Sequence, residues 1–231
     1  MSMRQSPRKR GSIRPPGRPR SEQARLAILR STLQLLGKQG FSDLTIEEVA
    51  GRAGVGKATV YRWWPSKAAL IADAFASSTS RRLHFPDTGS VFTDLSQQMH
   101  QLIKVFNGRR GRIVSAMLAG GQSDRKVISA FRERFLWPRR YEAYATLRRA
   151  IARGELGQDC DMDLLLDSLY GPIYMRFLIR HQALTPEFAD SLCRVVLKGA
   201  LAGRTLRQTP GPAKSKRAAP VRLMRRPLRV G

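Results

Sequence analysis

The sequence of 231 residues predicts an all-α fold, and three observations support this. Apolar residues recur at helical spacing from residue 22 onward, whereas Val, Ile and Thr never form the alternating runs that are typical of strands. Glycine, proline and capping residues separate the periodic segments. Apolar residues make up 42% of the chain, which is enough to fold most of it around a hydrophobic core.

The first two predicted helices have clear boundaries. The first begins near Glu22 and stops at Gly40, with Phe41 after it as a packing residue. Thr45 can cap the second helix, and Glu48 three residues later can reach back to the Thr45 backbone amide. This reciprocal pair, a capping box, predicts that the second helix starts directly after Thr45.

The third and fourth helices are separated by a proline. A tight glycine turn at 54–56 precedes the third helix, which we expect from Lys57 up to Pro65. Ser66 can then cap the fourth helix. Residues 84–90 form a linker by composition. Helical periodicity resumes beyond them, at roughly 91–107, 109–121, 124–153, 161–181 and 185–202.

Charge and periodicity divide the chain into four parts. Residues 1–20 hold seven Lys/Arg and residues 203–231 hold nine, with no acid in either segment. Because both have the composition of a polycation, we expect a disordered basic arm and a disordered basic tail. Between them we predict a small helical domain at 21–83 and a larger one at 91–202.

The formal net charge of +25 points to a polyanionic partner, with nucleic acid first and an acidic membrane surface second. No stretch of eighteen apolar residues is present, so we expect no membrane span. The two cysteines, Cys160 and Cys193, are too few for a disulfide framework and lack the spacing of a zinc site. Their number fits a reducing cytoplasm.

A short capped helix, a glycine turn and a second short helix form a helix-turn-helix at 45–64. In such a motif the second helix enters the major groove of DNA, which is about 12 Å wide. Its first residues here are small or polar, which allows close approach to bases, and Tyr61 and Lys67 are placed to reach the flanking phosphates. The alternative is a three-helix core that binds no DNA.

Residues 24–75 resemble the DNA-binding domain of the TetR family of bacterial transcriptional regulators. The resemblance is carried by LTIEEVAGRAG at 44–54, followed directly by VGKATVYRWWPSKAAL at 55–70. It implies two sets of DNA contacts: phosphates for Thr45, Thr59, Tyr61 and Lys67, and bases for Val55, Gly56, Lys57 and Arg62. We expect Trp64 to be buried in the core. For Trp63 the sequence does not decide between burial in the core and contact with DNA.

The basic arm ends in Pro-Pro-Gly-Arg-Pro-Arg at 15–20, which is similar to the core of an AT-hook. We expect Arg18 and Arg20 to enter the narrow minor groove of A·T-rich DNA beside the helix-turn-helix. A solvated arm without base preference is the alternative. The tail at 203–231 would raise non-specific affinity for DNA, or it has no role.

The resemblance also implies that the larger domain binds an effector and forms a homodimer through its last two helices. Two apolar stripes are the candidates for this interface: Leu166, Leu169, Ile173 and Phe177 on one helix, and Phe188, Leu192, Val195, Val196 and Gly199 on the other. A two-fold dimer would place two recognition helices on successive major grooves, so we expect a palindromic operator in double-stranded DNA. Both stripes are also compatible with a core inside one chain.

An effector pocket among the central helices would have apolar walls and a few phenol groups, which suits an amphipathic small molecule. The candidates are Met99, Met117, Phe131, Phe135, Trp137, Tyr141, Tyr144, Tyr170 and Tyr174. Each of them also fits as an ordinary core residue. The family usually acts by repression, and an effector releases DNA only if it binds the DNA-incompetent state better.

Two other classes of function compete with this prediction. An enzyme is disfavoured because the three histidines are far apart and no nucleophile, metalloprotease or nucleotide-binding motif is present. The acids at 159–163 begin like a calcium loop, but Leu164 stands where that loop needs glycine, so helix capping is favoured. An architectural DNA-binding protein with little sequence preference explains the charge but not the helix-turn-helix. We expect no cofactor or metal, and action at the bacterial nucleoid in the cytoplasm.

Overall fold

A computed structural model describes residues 21–202, in which ten α-helices follow one another with no strand between them. The all-α prediction is therefore confirmed, while the predicted arm at 1–20 and tail at 203–231 lie outside the described residues. The helices are α1 (Glu22–Asp43), α2 (Ile46–Ala53), α3 (Lys57–Trp63), α4 (Lys67–Thr79), α5 (Val91–Asn107), α6 (Arg109–Ser123), α7 (Arg125–Phe131), α8 (Trp137–Ala152), α9 (Met162–Ile179) and α10 (Pro186–Ala202).

Side-chain caps begin α2 and α4 where the sequence predicts them. The Thr45 hydroxyl accepts a hydrogen bond from the Glu48 amide at 3.2 Å, and the Glu48 carboxylate accepts one from the Thr45 amide at 3.1 Å. The Ser66 hydroxyl accepts from the Ala69 amide at 3.1 Å and caps α4. The predicted stop at Gly40 is a break rather than an end. Its φ of 87° interrupts α1, and a last helical turn continues to Asp43.

The turn between α2 and α3 depends on glycine. Gly54 has a φ of 66°, in the left-handed region that costs other residues about 1–2 kcal/mol. This conformation lets the Val55 amide donate back to the Ala50 carbonyl at 3.0 Å, which closes the end of α2. The α2–α3 turn is thereby fixed by the backbone. Helices α1 to α4 then pack around Trp64, which is 1% exposed, together with Ile28, Val49, Val60, Leu70 and Phe75.

The sequence predicts one helix over 124–153, whereas the structure divides it into α7, a five-residue π turn (Arg132–Leu136) and α8. In the π turn, the Trp137 amide donates to the Arg132 carbonyl, one residue farther back than in an α-helix. The next residue is Pro138, whose ring has no N–H and would clash with the carbonyl of Arg134 in a regular α-helix. The wider turn accommodates this proline.

The larger part of the fold is joined to the smaller one along α1 and α4. Helix α4 contacts α7 and the π turn, and α1 contacts α6. Within the larger part, α10 packs on α5 and α9, and the helix α9 continues past Pro172 to Ile179. None of the helices in the described range is long and apolar enough to cross a membrane.

Candidate nucleic-acid interface

Helix α3 presents one face to solvent and buries the other. Val60 is fully buried against the core, whereas Gly56, Lys57 and Arg62 are exposed and Tyr61 is 52% exposed. Lys57 and Tyr61 are four residues apart, so they lie on the same side of the helix. The structure therefore brings four of the ten predicted DNA-contact residues together on one open surface.

An ion pair that the sequence analysis missed holds Lys57. Its Nζ lies 2.5 Å from Oε1 of Glu47 in the first turn of α2, and both side chains are more than half exposed. The hydrogen bond to Glu47 raises the pKa of Lys57, and the same bond lowers the pKa of Glu47. Both groups are therefore charged at neutral pH. Any phosphate or base that takes the ammonium group must compete with this carboxylate.

Thr45 is exposed, but its hydroxyl is already engaged. It donates to Glu48 Oε2 at 2.9 Å in addition to accepting from the Glu48 amide. Gln39 donates to the same carboxylate oxygen at 2.8 Å. Hydrogen bonds from Gln39 first, and then from Thr45, lower the pKa of Glu48. A phosphate contact through the Thr45 hydroxyl requires its proton to turn away from Glu48.

Three other predicted contacts are partly buried in the free protein. Lys67 donates to the Ser42 carbonyl at 3.0 Å, and its ammonium lies 5.5 Å from the centre of the Phe41 ring. It thereby ties the start of α4 to the end of α1. Val55 and Thr59 are half-buried at the start of α3. Arg18 and Arg20 lie outside the described residues.

The two tryptophans at the end of α3 have different environments. Trp64 is 1% exposed, which confirms its prediction as a core residue. Its indole Nε1 donates to Asp73 Oδ2 of α4 at 2.7 Å, and Arg134 of the π turn lies 2.9 Å from the same oxygen. Trp63 is half-buried, with the Arg25 guanidinium 5.9 Å from its ring centre. A buried indole N–H needs an acceptor, but nothing in the sequence indicates which acid supplies it.

The larger part contains a narrow cavity of about 60 Å³. We call it the central cavity, and of the nine predicted pocket residues, Phe135, Tyr170 and Tyr174 line it. The Tyr170 hydroxyl donates to Gln98 Oε1 at 2.5 Å. Burial raises the pKa of Tyr170 and of Tyr174, so both phenols are neutral over the physiological range.

The other six predicted pocket residues lie elsewhere. Met99, Met117 and Phe131 are at most 2% exposed and belong to the core, which was the alternative left open for each. Trp137 and Tyr141 are on the surface, at 41% and 66% exposure. Tyr144 binds the Asp163 carboxylate and accepts from Arg140 Nε at 2.8 Å, so it links α8 to α9.

The predicted interface stripes divide into buried and accessible residues. Leu166, Leu169 and Ile173 are at most 1% exposed inside the chain, so for these three the intramolecular alternative holds. The remaining six are half-buried or exposed on α9 and α10: Phe177, Phe188, Leu192, Val195, Val196 and Gly199. Large apolar side chains that the prediction omitted are also exposed on α9, namely Leu164, Met175, Leu178 and Ile179.

The acids at the N-cap and in the first two turns of α9 bind groups of the chain itself. The Asp161 carboxylate accepts from the Leu164 amide at 3.0 Å, which confirms helix capping. Asp163 and Asp167 each lie 2.6 Å from a guanidinium nitrogen of Arg140. Among residues 21–202, no group of three His, Cys, Asp or Glu side chains is arranged to hold a metal ion.

Two protein-family models match this chain, one in its N-terminal part and one in its larger C-terminal part. Residues 28–74 match the family described as bacterial regulatory proteins, tetR family, and residues 85–196 match the Tetracyclin repressor-like, C-terminal domain. The chain is 38% identical to the uncharacterized HTH-type transcriptional regulator YdeS of Bacillus subtilis over 183 residues, which are 79% of this chain and 92% of the relative.

Two further similarities agree. The DNA-binding transcriptional repressor TetR of Mycobacteroides abscessus is 32% identical over 64% of this chain and 78% of its own length. The crystal structure of the TetR family transcription regulator SCO0332 superposes with a TM-score of 0.71 and 35% identity, covering 77% of this chain and 98% of that one. The chain therefore belongs to the TetR family of helix-turn-helix transcriptional regulators.

Proposed function

We propose that the protein is a homodimeric repressor that binds a palindromic operator and is released from it by a small molecule. The single observation that carries this proposal is the solvent-exposed face of α3. The opposite side of the helix is anchored in the core by Val60 and Trp64, which are buried, and the exposed residues are Gly56, Lys57, Tyr61 and Arg62. A rigid helix with one polar face clear of its own domain can enter the major groove of DNA.

The eight residues predicted at 45–67 make two kinds of contact. Thr45, Thr59, Tyr61 and Lys67 contact phosphates, and Val55, Gly56, Lys57 and Arg62 approach bases. Arg18 and Arg20 extend the contact into the minor groove. Binding also breaks two contacts of the free protein, because Lys57 exchanges Glu47 for DNA and Thr45 turns its proton from Glu48. An operator as the target places this action at the bacterial nucleoid, in the cytoplasm.

The dimer forms through the outer faces of α9 and α10. Met175, Ile179 and Val195 are 58–70% exposed, although each is a large apolar side chain. Large exposed apolar side chains that cluster on one face are typical of protein–protein contacts, and Met175 and Ile179 lie one turn apart on α9. A two-fold axis through this face would place the α3 helices of the two subunits about 34 Å apart, which is one turn of DNA. Because the two subunits are related by this axis, the two half-sites that they bind must form a palindrome.

Release by an effector requires the central cavity to enlarge. A volume of about 60 Å³ is far below the roughly 300–1,000 Å³ of small-molecule sites. An effector that enters must therefore displace wall residues such as Phe135, which also packs on Phe75 of α4 at 4.8 Å between ring centres. Displacement of Phe135 would change the position of α4 and therefore the affinity of the protein for DNA. Because the effector binds only the state with the enlarged cavity, it would shift the population toward that state.

The test is selection of fragmented genomic DNA on the purified protein at about 150 mM salt, followed by sequencing. We expect a palindromic motif, with enrichment reduced by Tyr61→Phe, because this substitution removes the hydroxyl that we propose binds phosphate from a side chain that is 52% exposed. Enrichment without a shared motif would contradict the proposal. That outcome would favour the second candidate, an architectural DNA-binding protein, which the net charge of +25 supports.

A further inference from the structure

A second and larger opening lies where the two parts of the fold meet. We call it the α1–α6 groove; its volume is about 830 Å³, within the range of small-molecule sites. Its apolar lining comes from Leu33, Leu36 and Phe41 of α1 and from Ile113 and Ala116 of α6. None of these five residues belongs to the central cavity or to the open face of α3.

Five cations also line the α1–α6 groove, and no acidic residue does: Lys38, Arg52, Arg109, Arg110 and Arg112. Arg52 and Arg110 have neutral partners, because Arg52 donates to Gln34 Oε1 at 2.8 Å and Arg110 donates to the Ser78 hydroxyl at 3.2 Å. Lys38, Arg109 and Arg112 form no ion pair within residues 21–202. The groove thus combines an apolar lining with uncompensated positive charge.

Charge complementarity selects the occupant. The two segments of this chain outside the described range, 1–20 and 203–231, are basic and hold no acid, so the groove repels them. A neutral apolar molecule would leave the cations unused, and a small inorganic anion would leave the apolar lining in water. A molecule with an acidic head and an alkyl or aryl body satisfies both parts of the lining.

We propose that the α1–α6 groove binds an amphipathic organic anion. Its carboxylate, sulfate or phosphate head pairs with Arg109 and Arg112, and its apolar body packs on Phe41 and Ile113. This site goes beyond the proposed function, because its occupation requires neither DNA nor the central cavity. Since α1 and α6 belong to the two different parts of the fold, the bound anion contacts both of them.

The probe for a test is decanoate, titrated into the full-length protein without DNA and followed by calorimetry at low salt. Arg109→Gln with Arg112→Gln should weaken decanoate binding about tenfold or more, because two charged hydrogen-bonding groups are removed. Both arginines lie in the first turns of α6, where positive charge opposes the helix dipole, so the double variant should remain folded. Ala116→Trp should block the groove and abolish binding.

The matched control is Arg125→Gln with Arg148→Gln, which removes the same charge from exposed positions outside the groove. It should leave decanoate affinity unchanged. Equal affinity of the wild type, the double variant and Ala116→Trp would overturn the proposal, since decanoate would then bind elsewhere. Decan-1-ol binding as tightly as decanoate would also overturn it. A third result would overturn the proposal as well: the wild type does not bind decanoate, and the double variant loses only affinity for random DNA. The two arginines would then contact the phosphates of DNA.

Discussion

Trp64 and Asp73 are joined by a hydrogen bond of 2.7 Å between the indole Nε1 and carboxylate oxygen Oδ2. The same oxygen lies 2.9 Å from a guanidinium nitrogen of Arg134. One carboxylate on α4 therefore connects the end of the recognition helix α3 to the π turn. The π turn also carries Phe135, which lines the central cavity and packs on Phe75 of α4. The π turn is therefore joined to α4 by two contacts, Arg134 with Asp73 and Phe135 with Phe75.

The first prediction concerns this carboxylate. Asp73→Ala should lower the free energy of unfolding by about 1–3 kcal/mol, because the Trp64 N–H is left buried without an acceptor. Asp73→Asn should cost less, since an amide oxygen can still accept from the indole. Urea unfolding followed by tryptophan fluorescence measures both. In a double-mutant cycle with Arg134→Gln, the two changes should be non-additive. Additive changes, or no loss in Asp73→Ala, would show that the connection contributes nothing.

The second prediction concerns the Glu47–Lys57 ion pair. Glu47→Gln should raise DNA affinity about two- to tenfold, because Lys57 no longer has to leave a carboxylate and one charge that repels phosphates is removed. The dependence of affinity on salt should also steepen, because the Lys57 charge is no longer compensated by a carboxylate where it meets the polyanion. Fluorescence anisotropy at several salt concentrations gives both quantities.

The control for Glu47→Gln is Glu133→Gln, which removes an exposed acid of the π turn. It changes the net charge equally but is remote in sequence from α2 and α3. If Glu133→Gln raises DNA affinity as much as Glu47→Gln does, the gain comes from the change in net charge. The idea that Glu47 competes with DNA for the Lys57 ammonium would then be refuted.

The elements that position α3 were predictable because their signals are local in sequence. The capping box of Thr45 and Glu48, the left-handed Gly54 and the Ser66 cap each depend on residues within one turn of each other. The contacts that engage the site were not predictable. Glu47 and Lys57 face each other across the α2–α3 turn, and no pattern of spacing indicates such a pair.

The larger part was predicted in outline, and its errors have physical causes. Hydrophobic periodicity cannot detect a single π turn, and Pro138 was the only signal of it in 124–153. Helix α9 is apolar around most of its circumference, with Leu169 and Ile173 buried while Met175 and Ile179 are exposed. Spacing alone therefore could not decide which side faces the core and which faces outward.

The third prediction is a pH dependence at the contact between α8 and α9. Hydrogen bonds from Tyr144 first, and then from Arg140, lower the pKa of Asp163 below its usual value of about 3.9. The unfolded chain therefore takes up this proton before the folded one. The stability that Asp163 contributes is complete above about pH 4 and is lost as the pH falls through the lowered folded pKa.

Asp163→Asn tests this dependence. The variant should be less stable than the wild type by the same amount at about pH 7 and pH 5, and the difference should shrink in more acidic solution. Urea midpoints at each pH measure it, with the exposed Asp159→Asn as the control that should follow the wild type. A difference that grows on acidification has the wrong sign and would exclude the assignment.

The fourth prediction concerns the proposed dimer. Met175→Glu with Ile179→Glu should raise the dimer dissociation constant by at least about tenfold, because two carboxylates would be buried against a second copy of the same face. Sedimentation velocity over a range of concentrations measures it. Leu26→Glu, which charges an exposed apolar residue on α1, is the control and should leave the dimer intact. The double variant should also lose operator affinity while its circular dichroism is unchanged, because each half-site alone is bound weakly. A dimer that survives both substitutions must use a different face.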